Sequence, residues 1–291
     1  MNLAAIAPSV MAVGAIAFAF GLLVGSFLNV VVHRLPRGES IVWPGSRCPA
    51  CSRAIRPYEN IPLVSYLLLG GRCRGCGARI SLRYPALELL TAVLFAVIAL
   101  ETGPRIDTVL WCAFAAMLVG AGAIDAEHRI IPDEISVGGL AAGLVLVPAI
   151  EAFHGDPYLA GLLRSVSGAA LGGGLLWSVG FAHARLSVAL GRTFEHWPGD
   201  GAPYPGPSSL DYWTWFPGLG FGDVKLLAMI GAFVGPGGVV ETLLAASIAG
   251  LALGLASALV TRRWNSPFGF GPALAVGALL VILVPHPSLL P

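Results

Sequence analysis

The chain has 291 residues, 56% of them apolar and only 11% charged, with 17 Lys and Arg against 16 Asp and Glu. A soluble domain carries about 25% charged residues, and the mean hydropathy here is +0.80. These values exclude a disordered chain, a nucleic-acid-binding domain and an ordinary soluble enzyme, and they point to an all-α polytopic membrane protein.

A helix that crosses a bilayer needs roughly 20 mostly apolar residues. The first such block runs from about Pro8 to Val32. No basic n-region precedes it and no A-x-A-like cleavage site follows, so it is expected to stay as a span rather than be removed as a signal peptide.

A polar insert follows at 34–84. Nine of the 17 Lys and Arg lie between Arg34 and Arg83, offset only by Glu39 and Glu59. Four of the five cysteines form two pairs, Cys48-Pro-Ala-Cys51 and Cys73-Arg-Gly-Cys76, with 21 residues between the pairs. Two C-x-x-C knuckles at this distance suit a tetrahedral four-cysteine zinc site. Gly75 and Gly77 fit the tight turn that aims two sulfurs at one metal. A pair of disulfides is the alternative and would need an oxidising compartment. An insert this small buries little core, so the metal is expected to hold its fold. No His or Glu is spaced as a catalytic ligand.

Further apolar blocks lie at about 85–101, 107–126, 134–152 and 164–187, then at 223–235, 239–261 and 269–289. The total is eight spans. The sixth is short and ends weakly at Pro236-Gly237-Gly238, which leaves six or seven open. The chain thus reads as a first helix (1–33), the insert (34–84) and a bundle (85–291).

Several residues stand out along the bundle. Glu88 lies within the second span, where it either caps a polar cavity or faces a neighbouring helix. Cys112 reads as a small packing residue. Asp125 closes the third span, and Asp133 follows Pro132 as the expected N-cap of the fourth helix. Gly168, Gly172, Gly173 and Gly174 cluster in one span, where small residues let helices approach closely. The segment 191–221 is polar, Pro-rich and aromatic, with Trp197, Tyr204, Tyr212, Trp213, Trp215 and Phe216. It reads as an interfacial anchor or, more sharply, as a lid over the aspartates; Asp200 and Asp211 read as solvated loop residues. Asp223 opens the sixth span, with Lys225 directed away from it toward headgroups. The six His residues do not cluster at metal-ligand spacing.

Basic residues favour the cytoplasmic side. With 34–84 inside, alternate loops place Arg129, Arg185, Arg192, Lys225, Arg262 and Arg263 inside as well. The balance is fifteen basic residues inside against Arg105 and Arg164 outside, with both termini outside. Losing one span breaks this agreement.

That topology brings Asp125 and Asp223, 98 residues apart, to the cytoplasmic border at similar depth. Carboxylates within spans cost roughly 2.5–3.5 kcal/mol at the helix centre and are functional candidates. Two that share a site do not both ionise readily, so one holds a proton while the other takes one from water. That arrangement hydrolyses a peptide bond without a covalent intermediate. Gly220 and Gly222 would let a substrate backbone approach Asp223. The structural alternatives are an N-cap role for Asp223 and an Asp125–Arg129 pair on a helix surface.

Taken together these residues resemble the type IV prepilin peptidases, the bacterial leader peptidases of pilus and type II secretion systems. The matching strings begin with Gly25-Ser-Phe-Leu-Asn-Val-Val-Val-His-Arg-Leu-Pro36, the two C-x-x-C pairs and Arg56-Pro-Tyr-Glu-Asn-Ile-Pro-Leu-Val-Ser-Tyr66. Arg83-Tyr-Pro85, Ile124-Asp125 and Ile131-Pro-Asp133 follow, then Gly220-Phe-Gly-Asp-Val-Lys-Leu-Leu227 and Pro267-Phe-Gly-Phe-Gly-Pro272. The strings occur in family order. The 191–218 connection looks longer than the family's usual one.

The resemblance implies an intramembrane aspartic protease of the bacterial cytoplasmic membrane whose motif aspartates correspond to Asp125 and Asp223. It implies prepilin or pseudopilin substrates, cut at the cytoplasmic border after a Gly that follows a short basic leader. It also implies N-methylation of the new terminal residue from S-adenosylmethionine, since the four-cysteine insert is typical of bifunctional members. No Rossmann-type strand, turn and helix is present to hold that donor, and the insert is expected to contribute to its site. Competing readings are a peptidase without methylation, a proton-coupled transporter using the two aspartates as relays, and a scaffold without chemistry.

Overall fold

The computed structural model describes residues 8–192, 194, 204–262 and 269–284. The middle of the aromatic loop with Trp197 and Asp200, then Arg263, Pro267, Phe268 and the last part of the eighth expected span, 285–289, lie outside the described residues.

The elements are α1 (Pro8–Arg34), α2 (Val64–Leu68), α3 (Arg83–Thr102), α4 (Ile106–His128) and α5 (Asp133–Phe153). After them come α6 (Tyr158–Ala189), α7 (Asp211–Thr214), α8 (Phe221–Thr261) and α9 (Gly271–Leu283). The fold is all-α; among the described residues β-structure is limited to isolated bridges.

Among the described residues six helices are long and apolar enough to cross a membrane: α1, α3, α4, α5, α6 and α8. The expected count of eight is therefore not confirmed. The sixth and seventh expected spans form the single run α8, whose two arms meet at Gly235 (φ 73°, ψ 179°) ahead of Pro236. At 1.5 Å per residue the first arm is only about 20 Å long, short of the ~30 Å hydrocarbon core. Glycine tolerates the left-handed φ, and proline, lacking an N–H, suits the first turn of the second arm. The expected eighth span, α9, has 13 described helical residues.

The chain forms two compact units, residues 1–124 and 125–291. In the first, α1 and α3 pack antiparallel through small residues. A Cβ on Gly21 would lie 2.6 Å from Ala92 Cα, and one on Gly25 would lie 2.6 Å from Glu88 Cα. The insert is tied to this pair by Glu88, buried in α3, whose Oε2 accepts the Leu63 N–H at 2.8 Å. Glu88 also bonds Ser26 of α1. It thus meets neighbouring segments rather than capping a cavity. Asn29 of α1 adds a second tie, donating to the Tyr84 carbonyl at 3.1 Å.

The second unit is built around α8. Gly168 of α6 meets the backbone of Gly231 and Gly235, and Gly172 meets Leu227, which confirms glycine as the packing residue of this span. Gly143 of α5 seats Phe233, and Gly277 of α9 faces Thr242 and Ala246. Arg164 pairs with Glu151 between α6 and α5. Pro132, not Asp133, is the N-cap of α5. Asp133 is the first helical residue and pairs with Lys225 of α8, so Lys225 faces a carboxylate and the Phe221 ring rather than headgroups alone.

Candidate active site

Asp125 lies in the last turn of α4, and Asp223 in the first turn of α8. Both are buried, with 6% and 9% exposure. They are close enough for their charges to act on each other. The tertiary fold therefore brings together the two carboxyls that the sequence singles out.

Their immediate partners are backbone groups. The Gly271 N–H donates to Asp125 Oδ2 at 3.0 Å, across 146 positions of sequence. Gly220 is the N-cap of α8, in extended backbone (φ −71°, ψ 138°), and Asp223 is the third helical residue, its N–H donating to the Gly220 carbonyl at 3.1 Å. Asp223 is therefore not the N-cap but stands in the first turn. Its Oδ1 is buried without a hydrogen-bond partner among the described residues. Such an atom costs about 1–3 kcal/mol when nothing satisfies it, and a water or a substrate group would do so. For Asp125, no surface pairing is needed to explain its position, because Gly271 holds the carboxylate.

Glycines shape the space around both aspartates. A Cβ on Gly271 would lie 2.7 Å from Asp125 Oδ2, and one on Gly269 would fall closer still. These two glycines carry no functional role in the sequence reading. Their signal was the Gly-Phe-Gly-Pro run directly before an apolar helix. A Cβ on Gly220 would stand 3.4 Å from Asp223 Oδ2, whereas one on Gly222 would stand 3.1 Å from Ile131 Cβ. Gly222 thus lets the α4–α5 connection pack against the start of α8.

The four cysteines form a separate cluster in the first unit, with their sulfurs all within 4.8 Å of one another. Cys48 Sγ and Cys76 Sγ are 3.9 Å apart, close to the roughly 3.8 Å edge of a tetrahedron with 2.3 Å metal–sulfur bonds. The cluster can hold a metal ion, and all four cysteines are free thiols rather than disulfides. Each knuckle closes with the same turn. Cys48 N–H bonds the Arg53 carbonyl and Cys73 N–H the Ala78 carbonyl, at 2.9 and 2.8 Å. The matching left-handed positions are Ser52 (φ 57°) and Gly77 (φ 71°).

Backbone N–H groups of Cys76 and Gly75 draw the Cys73 thiol down to about 6. Cys76 goes the other way: despite the Ala78 N–H, the Cys51 sulfur, burial and the Cys73 and Cys48 sulfurs push it up to about 11. Glu59 braces the cluster from behind. Arg53 donates to both its oxygens at 2.8 and 2.9 Å, and Arg74 lies at 3.7 Å. The Arg53 hydrogen bond, together with the Arg56 N–H, holds the Glu59 carboxyl below its usual range against some desolvation.

Residues 19–102 match the Bacterial Peptidase A24 N-terminal domain and residues 112–255 match the Type IV leader peptidase family. Curated relatives named prepilin leader peptidase/N-methyltransferase align along the chain. The Pseudomonas aeruginosa protein is 35% identical over 292 residues, covering 90% of this chain and 87% of that protein. The Neisseria gonorrhoeae protein is 32% identical over 91% of this chain and 88% of its own length. The Myxococcus xanthus protein is 37% identical over 84% of this chain, which spans 63% of that relative's length. No solved structure gives a significant match. With both halves matched and relatives followed over most of their length, the chain belongs to the type IV leader peptidase family.

Proposed function

We propose that this protein is an intramembrane aspartic endopeptidase that removes the short basic leader of type IV prepilins or pseudopilins after a Gly, and then N-methylates the new terminus. The observation that carries the peptidase reading is the buried pair Asp125 and Asp223, with one Asp223 oxygen left unpartnered. One carboxylate takes a proton from water, whose oxygen attacks the scissile carbonyl. The other carboxyl, protonated, donates to the carbonyl oxygen as it gains charge. Collapse of the tetrahedral intermediate then passes a proton to the leaving amine. No covalent intermediate enters this scheme. Gly220, where a Cβ would stand 3.4 Å from Asp223 Oδ2, keeps a side chain away from that carboxylate.

The four-cysteine cluster is read as a structural zinc site, since its four thiolate donors match that ion. S-adenosylmethionine would supply the methyl group for the second activity. The Arg-rich insert and the ends of α4 and α8 that carry the aspartates are assigned to the cytoplasmic face of the bacterial inner membrane. The assignment rests on the basic residues of the insert with Arg129, Arg185 and Arg192 against Arg105 and Arg164, a balance that does not depend on how α8 crosses. The relatives' names support leader cleavage and methylation over a transporter or a scaffold.

The test uses membranes holding the full chain and a prepilin-like substrate with a Gly-Phe junction. Asp125→Asn and Asp223→Asn keep size and remove the titrating group, so each is expected to abolish cleavage at normal membrane levels. Cleavage by both variants would refute the dyad. Mass analysis of the wild-type product reads the methyl group directly; an unmethylated product would leave a peptidase alone.

A further inference from the structure

The aromatic run before α8 has no role in the chemistry above, yet its described residues are held by stacking, a cation–π contact and hydrogen bonds. Trp177 and Phe181 of α6 stack at 4.9 Å, and Trp213 stacks on Phe181 at 5.5 Å. Trp177 Nε1 donates to the Trp213 carbonyl at 2.9 Å. The Arg185 guanidinium lies 3.8 Å over the Tyr212 ring and donates to the Tyr212 carbonyl at 3.1 Å. Phe216, 4% exposed, packs where Gly180 leaves room; a Cβ there would lie 2.9 Å from Leu219 Cδ2 and still closer to the Phe216 ring. Phe221, the first residue of α8, packs against the same cluster.

This geometry sets where α8 begins. Asp223 stands two residues after Phe221, with only the N-cap between that first helical residue and the bridge that pairs Phe216 with Leu219. On the other side the Lys225–Asp133 pair ties the same turn to α5. Stacking, a cation–π contact and backbone hydrogen bonds together make a fixed attachment. A cover that must open would need the opposite, namely few buried contacts and exposed backbone bonds.

We infer that the clasp formed by Trp177, Phe181 and Arg185 on α6 with Tyr212, Trp213 and Phe216 is a positioning element that holds Asp223 in register for the reaction. The inference rests on the reading of Asp223 as a catalytic carboxyl. The stacking, hydrogen-bond and cation–π contacts of these residues are with one another and not with the Asp223 carboxylate. They act through the placement of the first turn of α8.

The test compares steady-state cleavage by the full chain carrying Phe216→Ala, Phe216→Leu, Trp213→Ala or Arg185→Met. A displacement near 1 Å costs up to about 100-fold in rate, so Phe216→Ala is expected to lower kcat by roughly 10- to 100-fold. KM should stay within about twofold, because groups that bind substrate are untouched. Phe216→Leu, which refills most of the volume, should restore most of the rate. Trp213→Ala and Arg185→Met should each lower kcat severalfold, and they decide the matter if Phe216→Ala does not accumulate. Wild-type kcat in these two variants, or a raised KM at unchanged kcat, overturns the inference; the latter would make the segment a substrate contact. If Asp223→Asn still cleaves, the catalytic reading has failed instead. Loss of cleavage in Asp223→Asn beside intact kcat in the clasp variants sinks the clasp alone.

Discussion

Gly271→Ala perturbs the site most directly without touching a carboxylate. The Gly271 N–H is the donor that holds Asp125 Oδ2, at 3.0 Å. A methyl group at this position would stand 2.7 Å from the same oxygen and 3.0 Å from its carbon. The first is about 0.7 Å and the second about 0.4 Å short of an ordinary contact. Either the Asp125 side chain turns away and loses its hydrogen bond, or α9 moves outward from the carboxylate. The turned side chain displaces the reacting carboxyl by more than half an ångström, and the outward movement withdraws the N–H that holds it. The expected result is a fall in kcat of roughly 10- to 100-fold, with an overpacking cost of about 1–3 kcal/mol. Gly250→Ala is the internal control. It lies on α8 and faces the same helix α9, yet its new Cβ would sit 3.4 Å from Ala273 Cβ, an ordinary contact. Cleavage of a prepilin-like substrate, normalised to membrane protein level, should separate the two variants. Wild-type turnover in Gly271→Ala, or an equal loss in Gly250→Ala, would refute the idea that this close approach sets the position of Asp125.

Other outcomes follow from the same geometry. Cys73→Ser or Cys48→Ser should abolish bound metal in the purified chain, measured by metal analysis, and should open the Arg-rich insert to trypsin. Metal loading must strip the proton from Cys76, which its neighbouring sulfurs push up, so retention against a chelator should weaken steadily as pH falls. Glu88→Ala removes the acceptor of the Leu63 N–H, for a loss of about 1–3 kcal/mol; thermal unfolding in detergent should show it, with Glu88→Gln milder because an acceptor remains. Gly168→Val drives a side chain into the backbone of Gly231 and Gly235 and should deplete the membrane-inserted protein. Gly174→Ala, which meets nothing within 4 Å, should be neutral or slightly stabilising, since Ala favours a helix by up to about 1 kcal/mol over Gly.

Much of this protein is legible in its sequence because the governing physics is local. Apolar runs bounded by charge mark helices that lipid can accept, since a bilayer penalises each exposed polar group where it stands. The two C-x-x-C pairs mark a metal cluster because each knuckle closes on itself within a few residues. Asp125 and Asp223 stand out because carboxylates at span ends are costly and need a reason. The break near Pro236-Gly237-Gly238 is readable to within a residue, since Gly235 leaves helical geometry (φ 73°, ψ 179°) just ahead of Pro236. What the sequence does not show is that the two arms follow each other with no loop between them. What only the tertiary structure decides depends on groups far apart in the chain. Gly269 and Gly271 carry no chemistry of their own until α9 brings them against Asp125. Lys225 finds Asp133 across 92 positions, and Glu88 receives an N–H from the insert rather than lining a cavity. The aromatic run that reads as an anchor or a lid becomes an attachment to α6 because Gly180 leaves space for Phe216. Hydropathy and spacing specify which segments are buried, but helix packing specifies which residues meet, and the candidate site is made of such meetings.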